Sequence, residues 1–456
     1  MDITLINNDE ISLAKQCVEL ALNKGVSEIR VSLSKCTLDS ISLRDGSIDK
    51  VIHAADRSIF IHLFINNKYG TYSTNRLDIN SLDDFLDKAI DNTLMLAEDK
   101  ARKLPNPSRC AKDAMSGNEL GLIDKDYFSI DSDMRLDSAF EGIKSFKPEK
   151  TPVYSIISVE SEYTDSLDDN YLIDSNGVEC RHTETSYSYS TDITIKDKKG
   201  NYLTGFSCAI SPFKKSLKSK TTCSIALDKA ISQINHKKHR GGKFNMVVSN
   251  LVAVRLVSPI IASLNGEAIH QKRSFLASYK GKRVFPEELT ITDNARKVKS
   301  PGSRYFDTEG VATKNRKIIN AGRLTKFFIS TYSSSKLGLA PTVEGISNPT
   351  IKPFLKGLES KGKDLSLQSL LSQCGDGIYV TGFNGGNCNS VTGNFSYGVE
   401  GFIIKDGKIG HPIKEMIITG NMIELWNNLM GVANDARKDA RWKIPTLAFS
   451  NIDFSA

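Results

Sequence analysis

The chain has 456 residues, of which 39% are hydrophobic and 25% charged, a composition typical of folded globular proteins rather than disordered ones. At roughly 150 residues per domain, this length predicts about three domains. The 60 basic and 53 acidic residues leave a net charge of +7, an excess too mild to predict nucleic-acid binding.

The start of the sequence, MDITLINNDEISLAKQ, lacks the basic segment and apolar run of a secretory signal. No apolar run approaches the ~20 residues that a membrane span needs, so no membrane contact is expected. The eight cysteines are scattered, and no two of them stand at Cys-x-x-Cys spacing. Together these features predict a cytoplasmic protein with reduced thiols.

Residues 1–101 alternate between helical and strand patterns and predict an α+β domain with an antiparallel sheet. Turn signals such as Arg44-Asp45-Gly46 stand between alternating apolar runs, which is typical of hairpins. The predicted elements of this domain are a helix at Ile11–Asn23, a strand at Ile29–Leu33, hairpins that turn at Asp45-Gly46 and Asn66-Asn67-Lys68, and a helix at Leu82–Ala101 capped by Ser81.

Residues 102–120 are rich in Pro, Asn, Ser and charge and predict a linker. Residues 121–235 predict a middle α+β domain, with one helix at Ser132–Phe146 followed by long strands. The segment HTETSYSYSTDITI is polar at alternate positions, as expected of a sheet with one solvated face. The remaining residues, 236–456, predict a β-rich C-terminal domain, so the fold class is α+β with a multi-part N-terminal region.

The most informative segment of the C-terminal domain runs from Met246 to Phe275. A strand at Met246–Val248 is followed by Ser249-Asn250, two good helix N-caps, and then by an apolar helical pattern. Apolar residues recur there at three- and four-residue steps, which predicts that they share one helix face. These residues are Leu251, Val254, Val257, Ile261, Leu264 and Ala268.

Four groups of residues could carry chemistry, and each also has a plain structural interpretation. Glu267 and His270 have i, i+3 spacing that lets both contact one metal ion, but no second copy of this pair exists and a surface pair is favoured. His236 and His239 form half of a metal site or a solvated basic loop, of which the loop is favoured. Cys388 lies in a Gly-rich stretch, and an isolated cysteine is usually structural.

An acidic turn follows at Phe306-Asp307-Thr308-Glu309-Gly310-Val311. Asp307 and Glu309 could act as acid–base carboxylates beside Gly310. They could equally cap a turn by accepting backbone N–H bonds, which is the commoner role of such residues. The turn precedes a predicted hairpin around Ala321-Gly322 and a short helix at Ser333–Leu337.

The sequence FDTEGVATKNRKIINAGRLTKFFISTYSSSKLGL, which begins at Phe306, closely resembles the C-terminal signature of the TldD/PmbA family. The resemblance extends to GKRVFPEELTITD, to TGNFSYGVEGFIIKDGKIGHPIKEMIITGN and to GGKFNMVVSN, and it covers essentially the whole chain. This family was first described as modulators of DNA gyrase and is regarded as a metalloprotease system. The resemblance implies an α+β fold with a β-rich C-terminal domain.

TldD-type subunits of the family carry a His-Glu-x-x-x-His zinc motif and a further Cys near the C-terminus. Counted back from GKRVFPEELTITD, the zinc positions of this chain fall at about Val257, Ser258 and Ala262. No His occurs between His239 and His270, and no Cys follows Cys388. Because Val and Ala cannot ligate a divalent cation, the chain resembles the PmbA/TldE branch, which lacks the motif.

The resemblance implies a cytoplasmic subunit without catalytic residues, metal or other cofactor of its own. Its partner would be a zinc-carrying TldD-type subunit in a heterodimer, or a second copy in a homodimer, and the substrate would be peptides or unfolded proteins. Whether the chain is itself an enzyme stays open. The alternatives are a regulatory protein that binds DNA gyrase without proteolysis and an independent hydrolase that uses Glu267 and His270.

Overall fold

The computed structural model describes residues 5–149, 151–357 and 364–456. Among these residues the chain forms α-helices and largely antiparallel sheets, with short 3₁₀ turns between them. The helices are α1 (Asn8–Asn23), α2 (Ile79–Leu94), α3 (Ser132–Ser145), α4 (Thr222–Ile231), α5 (Val254–Ala262), α6 (Gly266–His270), α7 (Thr331–Leu337), α8 (Leu367–Cys374) and α9 (Met422–Asn427). The 3₁₀ helices are Pro107–Arg109, Lys125–Ser129, Lys214–Ser216, Ser219–Thr221 and Ala277–Tyr279.

The strands fall into three sheets, and long strands dominate the first of them. In chain order they are β1 (Glu28–Arg44), β2 (Ser47–Ile65), β3 (Lys68–Thr74), β4 (Tyr154–Asp174), β5 (Glu179–Asp197), β6 (Tyr202–Ser211), β7 (Gly242–Val248), β8 (Ile291–Asp293), β9 (Arg316–Asn320), β10 (Arg323–Leu324), β11 (Pro349–Ile351), β12 (Phe354–Leu355), β13 (Gly377–Cys388), β14 (Asn394–Lys405), β15 (Lys408–Asn421), β16 (Leu429–Val432) and β17 (Leu447–Ser455).

The chain divides into two compact units. The first unit comprises Met1–Ile231, Arg296–Thr313 and Ser330–Val343, and the second comprises Ser232–Ala295, Lys314–Ile329 and Glu344–Ala456. The α+β class predicted from the sequence is confirmed, with strand-rich structure toward the C-terminus. No helix among the described residues is long and apolar enough to cross a membrane.

The first unit is built on a six-stranded antiparallel sheet in the order β3-β2-β1-β4-β5-β6. Helices α1 and α2 bury apolar side chains against β1 and β2, and α3 does the same against β4 and β5. Burial alternates along β5, so one face is packed and the other is polar, as its sequence predicted. The domain bounds proposed from composition remain a prediction, and this sheet takes strands from both sides of residues 102–120.

Helix α4, which the sequence reading did not predict, packs across β6 at Gly205. A Cβ atom at Gly205 would lie 2.0 Å from the carbonyl oxygen of Ala226 and 2.6 Å from the backbone nitrogen of Ala230. Only glycine therefore allows the helix backbone to approach the strand this closely.

The second unit contains a four-stranded sheet, β10-β9-β8-β11, and a seven-stranded sheet, β12-β16-β17-β15-β14-β13-β7. Strand β7 pairs in parallel with β13 and antiparallel with β17, so five strands of the larger sheet close into a ring. Helix α5 follows β7 and contacts α9. The fully buried Trp426 of α9 donates its Nε1–H to the backbone oxygen of Leu256 at 3.2 Å, which anchors α5.

Candidate functional site

Helix α5, which bears the predicted zinc positions, begins later than its sequence indicated. Its N-cap is Ala253, which makes no capping side-chain bond, whereas Ser249 and Asn250 were predicted to cap it. Those two residues are engaged in tertiary contacts. The Ser249 N–H donates to the backbone oxygen of Val380 at 3.0 Å, and the Asn250 side-chain amide donates to the backbone oxygen of Asp435 at 2.7 Å.

The late start changes which apolar residues of this segment are buried. Leu251 lies before the helix and is 45% exposed, and Val254 is 41% exposed, so the prediction that they share the buried face was wrong. Val257, Ile261 and Leu264 are buried as predicted. The buried stripe of the helix consists of Leu256, Val257, Ile260 and Ile261.

The three predicted zinc positions have different environments on α5. Val257 is fully buried, Ser258 is partly exposed and Ala262 is exposed. Structural and catalytic zinc sites use Cys sulfur, His nitrogen and carboxylate oxygen, and neither Val257 nor Ala262 carries a donor atom. Among the described residues no three His, Cys, Asp or Glu side chains form a group that could hold a metal ion. The residues present therefore do not fit a zinc ion at this helix.

Glu267 and His270 lie on α6, a helix of five residues that Asn265 caps by accepting from the N–H groups of Glu267 and Ala268. Glu267 is exposed, and its carboxylate accepts from the side chain of Gln271 in the next turn. His270 is partly exposed at the end of the helix. This arrangement matches the interpretation of the two residues as a surface pair.

Asp307 closes the acidic turn by hydrogen bonding to its backbone. The carboxylate is 2% exposed, and Oδ1 accepts from the N–H groups of Glu309 and Val311, each at 3.0 Å. Gly310 has a φ of 81°, and a Cβ atom there would lie 3.1 Å from the Val178 side chain. The geometry is that of turn capping, the commoner of the two roles weighed for Asp307.

Glu309 caps a different element. Its Oε2 accepts from the N–H of Thr331 at 2.9 Å and from the Thr331 hydroxyl at 3.0 Å, at the first residue of α7. Burial raises the pKa of this carboxyl, the bond from Thr331 opposes that shift, and the Asp307 charge adds to it. The acidic turn and α7 are thus joined by one carboxylate across 22 residues of sequence.

We expect Glu309→Gln to remove a pH dependence from the stability of the first unit. The raised pKa means that, as pH falls, the folded protein takes up this proton before the unfolded chain does, so the contribution of Glu309 to stability increases toward about 4.3, the usual carboxyl value. The Gln variant lacks this contribution, so its stability should fall relative to that of the wild type over the same range. Amide hydrogen exchange of α7 and the neighbouring turn at several pH values measures the difference.

Thr331→Val is the matched control for this prediction. It removes the hydroxyl bond to Glu309 and leaves the carboxyl ionisable, so its pH dependence should persist. A Glu309→Gln variant that keeps the full wild-type pH slope would contradict the assignment.

The remaining candidate residues are Cys388, His239 and His236, and their surroundings are those of ordinary structural residues. Cys388 is partly exposed at the end of β13, and burial raises the pKa of its thiol, which disfavours a thiolate nucleophile. His239 hydrogen-bonds the Arg240 carbonyl oxygen at 2.9 Å through Nδ1 and packs its ring against Phe244. His236 is partly exposed in the same loop.

The first unit also contains a cluster of aromatic and basic side chains that was not predicted from the sequence. The guanidinium of Arg102 lies 3.6 Å from the ring centre of Tyr332 and 4.7 Å from that of Tyr69. His62 hydrogen-bonds the Tyr69 hydroxyl at 2.8 Å, and burial, with a contribution from Arg30, lowers its pKa to about 3. No local pattern could have revealed this stack, since its members lie far apart in sequence.

Comparison with known proteins identifies the family to which this chain belongs. Residues 241–456 match the family model described as the PmbA/TldA metallopeptidase C-terminal domain, and residues 30–93 match domain 1 of the same metallopeptidases. The chain belongs to the TldD/PmbA family. The match includes α5 and the β7–β17 sheet, which confirms the family assignment made from the sequence.

Relatives of the family align over most of the chain. Metalloprotease PmbA of Escherichia coli O157:H7 is 28% identical over 91% of this chain and 90% of its own length. A PmbA homologue of Buchnera aphidicola is 26% identical over 99% of this chain and 98% of its own length.

Solved structures of the family share the fold. A protein of Bacteroides thetaiotaomicron described as a modulator of DNA gyrase is 37% identical, with a TM-score of 0.92 over 99% of this chain and 100% of that chain. TldE of Thermococcus kodakarensis superimposes with a TM-score of 0.81 over 97% of this chain and 100% of that chain at 16% identity, a likeness of fold alone.

Proposed function

We propose that this chain is a PmbA/TldE-type subunit of a cytoplasmic metalloprotease system that degrades or processes peptides and unfolded proteins. It carries no zinc of its own and acts with a TldD-type subunit that supplies the metal. The observation that carries this proposal is the chemistry of α5, where Val257 and Ala262, at about the positions that the family resemblance assigns to the metal ligands, offer no ligand atom.

Two further features of the chain support the proposal. The family models that match it are named for metallopeptidases, and this supports a role in proteolysis. None of the eight cysteines, all of which lie among the described residues, forms a disulfide, which suits a reducing compartment such as the cytoplasm.

A subunit without metal contributes to such a system through surfaces rather than through chemistry. Extended peptides are commonly held by main-chain hydrogen bonds along the edge of a sheet, with side chains fitting pockets at alternate positions. The long strands of this chain supply backbone of that kind, and the partner's metal would polarise the peptide bond to be cleaved.

The test compares the purified chain alone, a TldD-type subunit alone and the two expressed together. We expect zinc to be absent from this chain and bound by the complex, and cleavage of an unfolded protein substrate to require both chains. Metal analysis, mass in solution and a peptidase assay give the three readouts. A His270→Ala variant is the matched control, and it should leave complex formation and activity unchanged.

Two results would contradict the proposal. Full peptidase activity of the TldD-type subunit alone, with no complex formed, would show that this chain is not its partner. Stoichiometric zinc in this chain alone, lost in His270→Ala, would instead identify an independent metal site at Glu267 and His270.

A second function is favoured by one specific comparison. The 37% identical structure from Bacteroides thetaiotaomicron is described as a modulator of DNA gyrase, which suggests a regulatory binding protein without proteolytic role. Tight binding of purified gyrase by this chain, in the absence of any TldD-type subunit and with no peptidase activity in the mixture, would favour that function over the first.

A further inference from the structure

The positive charge of this chain is concentrated in one part of the second unit. Residues 272–295 and 314–329 contain ten basic and three acidic side chains, and their excess of seven equals that of the whole chain. The other residues carry 50 basic and 50 acidic side chains and are balanced. A net charge of +7 is mild for 456 residues, so its location, rather than its size, is the informative property.

Backbone hydrogen bonds bring the two segments together at the hairpin of β9 and β10. The Leu324 N–H donates to the Lys282 oxygen at 2.9 Å, and residues 282–284 lie antiparallel beside β10. Five exposed basic side chains surround this hairpin, and we call them the basic patch: Lys280, Lys282, Lys317, Arg323 and Lys326.

Hydrogen bonds hold the members of the basic patch close to one another. The guanidinium of Arg323 donates to the oxygen of Gly281, which stands between two patch lysines in the sequence. The hydroxyl of Thr325, which precedes a third patch lysine, donates to the Lys317 oxygen at 2.7 Å. The basic patch is therefore one continuous surface of the second unit.

The basic patch has no counter-ions. None of its five side chains forms a salt bridge with any residue that the structure describes. Of the three acidic residues in the same segments, Glu287 pairs with Arg283 at 3.2 Å, Asp293 is only 1% exposed, and Glu288 is half-buried. The patch thus presents five uncompensated positive charges to solvent.

Two arginines of this surface lie directly across from each other. Arg283, which is exposed beside the basic patch, pairs with Arg323 of β10 in an antiparallel bridge. Like charges at such positions destabilise strand pairing. A bound anion offsets this repulsion, so the arrangement is more stable with an anionic partner than without one.

The surroundings of the basic patch identify the kind of anion. No large hydrophobic side chain of residues 272–295 or 314–329 is exposed, whereas protein interfaces have an apolar core that is poor in lysine. Tyr279 is the one partly exposed aromatic residue of these two segments, too little to stack a series of unpaired bases. The segments contain no α-helix to enter a major groove and read bases.

We propose that the basic patch binds the phosphate backbone of a nucleic acid duplex without sequence specificity. A duplex carries one negative charge per ~1.7 Å of its axis, and each phosphate that a lysine or arginine neutralises releases condensed counter-ions. This gain needs neither an apolar core nor base contacts. It needs several unpaired cations on one surface, which the patch supplies.

The experiment measures fluorescence anisotropy of a labelled DNA duplex of about 20 base pairs, two helical turns, titrated with the full chain. With five phosphate contacts, log K should fall against log salt with a slope of about −4.5, roughly a 500-fold loss between about 50 and about 200 mM. A second duplex of unrelated sequence should bind equally well, because the contacts are to phosphates.

The triple variant Lys280→Glu/Lys282→Glu/Lys326→Glu removes three of the five contacts. Its slope should fall to about −2, and its affinity at about 50 mM salt should be roughly 1000-fold weaker, since each contact contributes about tenfold there. Arginine at the same three positions keeps the charges and should keep the binding. Circular dichroism checks that each variant is folded.

The matched control is Lys50→Glu/Lys125→Glu/Lys198→Glu. It changes the net charge by the same amount at three exposed lysines of the first unit, none of which forms a salt bridge with a described residue. This variant should bind the duplex nearly as the wild type does. Equal weakening of both triple variants would overturn the proposal, because net charge and not the basic patch would then be responsible.

Three further outcomes would overturn the proposal: no binding by the wild type at low salt, binding that salt does not weaken, and tighter binding to another polyanion. The polyanions to compare are phosphatidylserine vesicles and poly-glutamate, which stand for a membrane and an acidic protein. Extended poly-glutamate carries only one charge per ~3.4 Å, so it should compete poorly with the duplex. This inference does not rest on the proposed function, and zinc content and peptidase activity are not among its readouts.

Discussion

Replacing Arg135 by Leu is expected to lower the free energy of unfolding of the first unit by about 3–5 kcal/mol. Arg135 is 7% exposed and Asp165 is fully buried, and the guanidinium binds both oxygens of that carboxylate at 2.9 and 3.1 Å. A third bond, at 2.9 Å, joins it to the Ile130 oxygen. Without the arginine, a charged carboxylate would remain buried without a counter-ion.

The double variant Arg135→Leu/Asp165→Leu tests this physical reason. Removing both charges removes the uncompensated burial of Asp165 and leaves Asp39, the other carboxylate beside Arg135 at 3.3 Å, with its bond to His53. The double variant should therefore be more stable than Arg135→Leu alone. Amide hydrogen exchange of β4 and β5 at increasing urea concentration measures the stability of the first unit. If the double variant proved less stable than either single variant, packing of the arginine stem rather than charge compensation would be the main contribution.

Replacing Trp426 by Ala is expected to lower the stability of the second unit by a similar amount, about 3–5 kcal/mol. The indole is fully buried, with ring centres 6.4 Å from Phe285 and 5.8 Å from Phe449, and it holds the Leu256 carbonyl of α5. The substitution leaves a cavity and an unpaired backbone oxygen. Protection of α5 amides against hydrogen exchange should fall together with global stability.

Trp426→Phe separates the two contributions. Phenylalanine keeps most of the ring packing but cannot donate to Leu256, so its cost should be well below that of Ala while α5 still loses protection. The fluorescence of Trp442, the second tryptophan of the chain, follows urea unfolding in both variants. Equal unfolding midpoints for Trp426→Ala and the wild type would contradict the anchoring role.

Local signals predicted the hairpins well. The turns at Asp45-Gly46 and Asn66-Asn67 join β1 to β2 and β2 to β3, as predicted, and Asp45 and Asn66 both have a φ of 50°. Such turns depend on residues that tolerate positive φ, a property of the turn itself. Local signals placed α2 less well, since its N-cap is Asp78 rather than Ser81 and it ends at Leu94.

Tertiary contacts decided what the candidate site residues do. Ser249 and Asn250 are good caps by sequence, but α5 begins only at Val254. The Ser249 N–H and the Asn250 side chain instead bond to the backbone oxygens of Val380 and Asp435, far away along the chain. Glu309 could be assigned only once the fold had brought it to Thr331. Competing long-range hydrogen bonds of this kind leave no periodic trace in a sequence.

The sequence by itself determined the family, the α+β class and the absence of ligand atoms at Val257 and Ala262, because these depend on residue identity and local periodicity alone. Only the tertiary structure decided that Arg135 neutralises Asp165 and that Trp426 bonds to the Leu256 carbonyl of α5. Burial and long-range hydrogen bonds depend on which distant segments pack together, and residue identity alone does not reveal this.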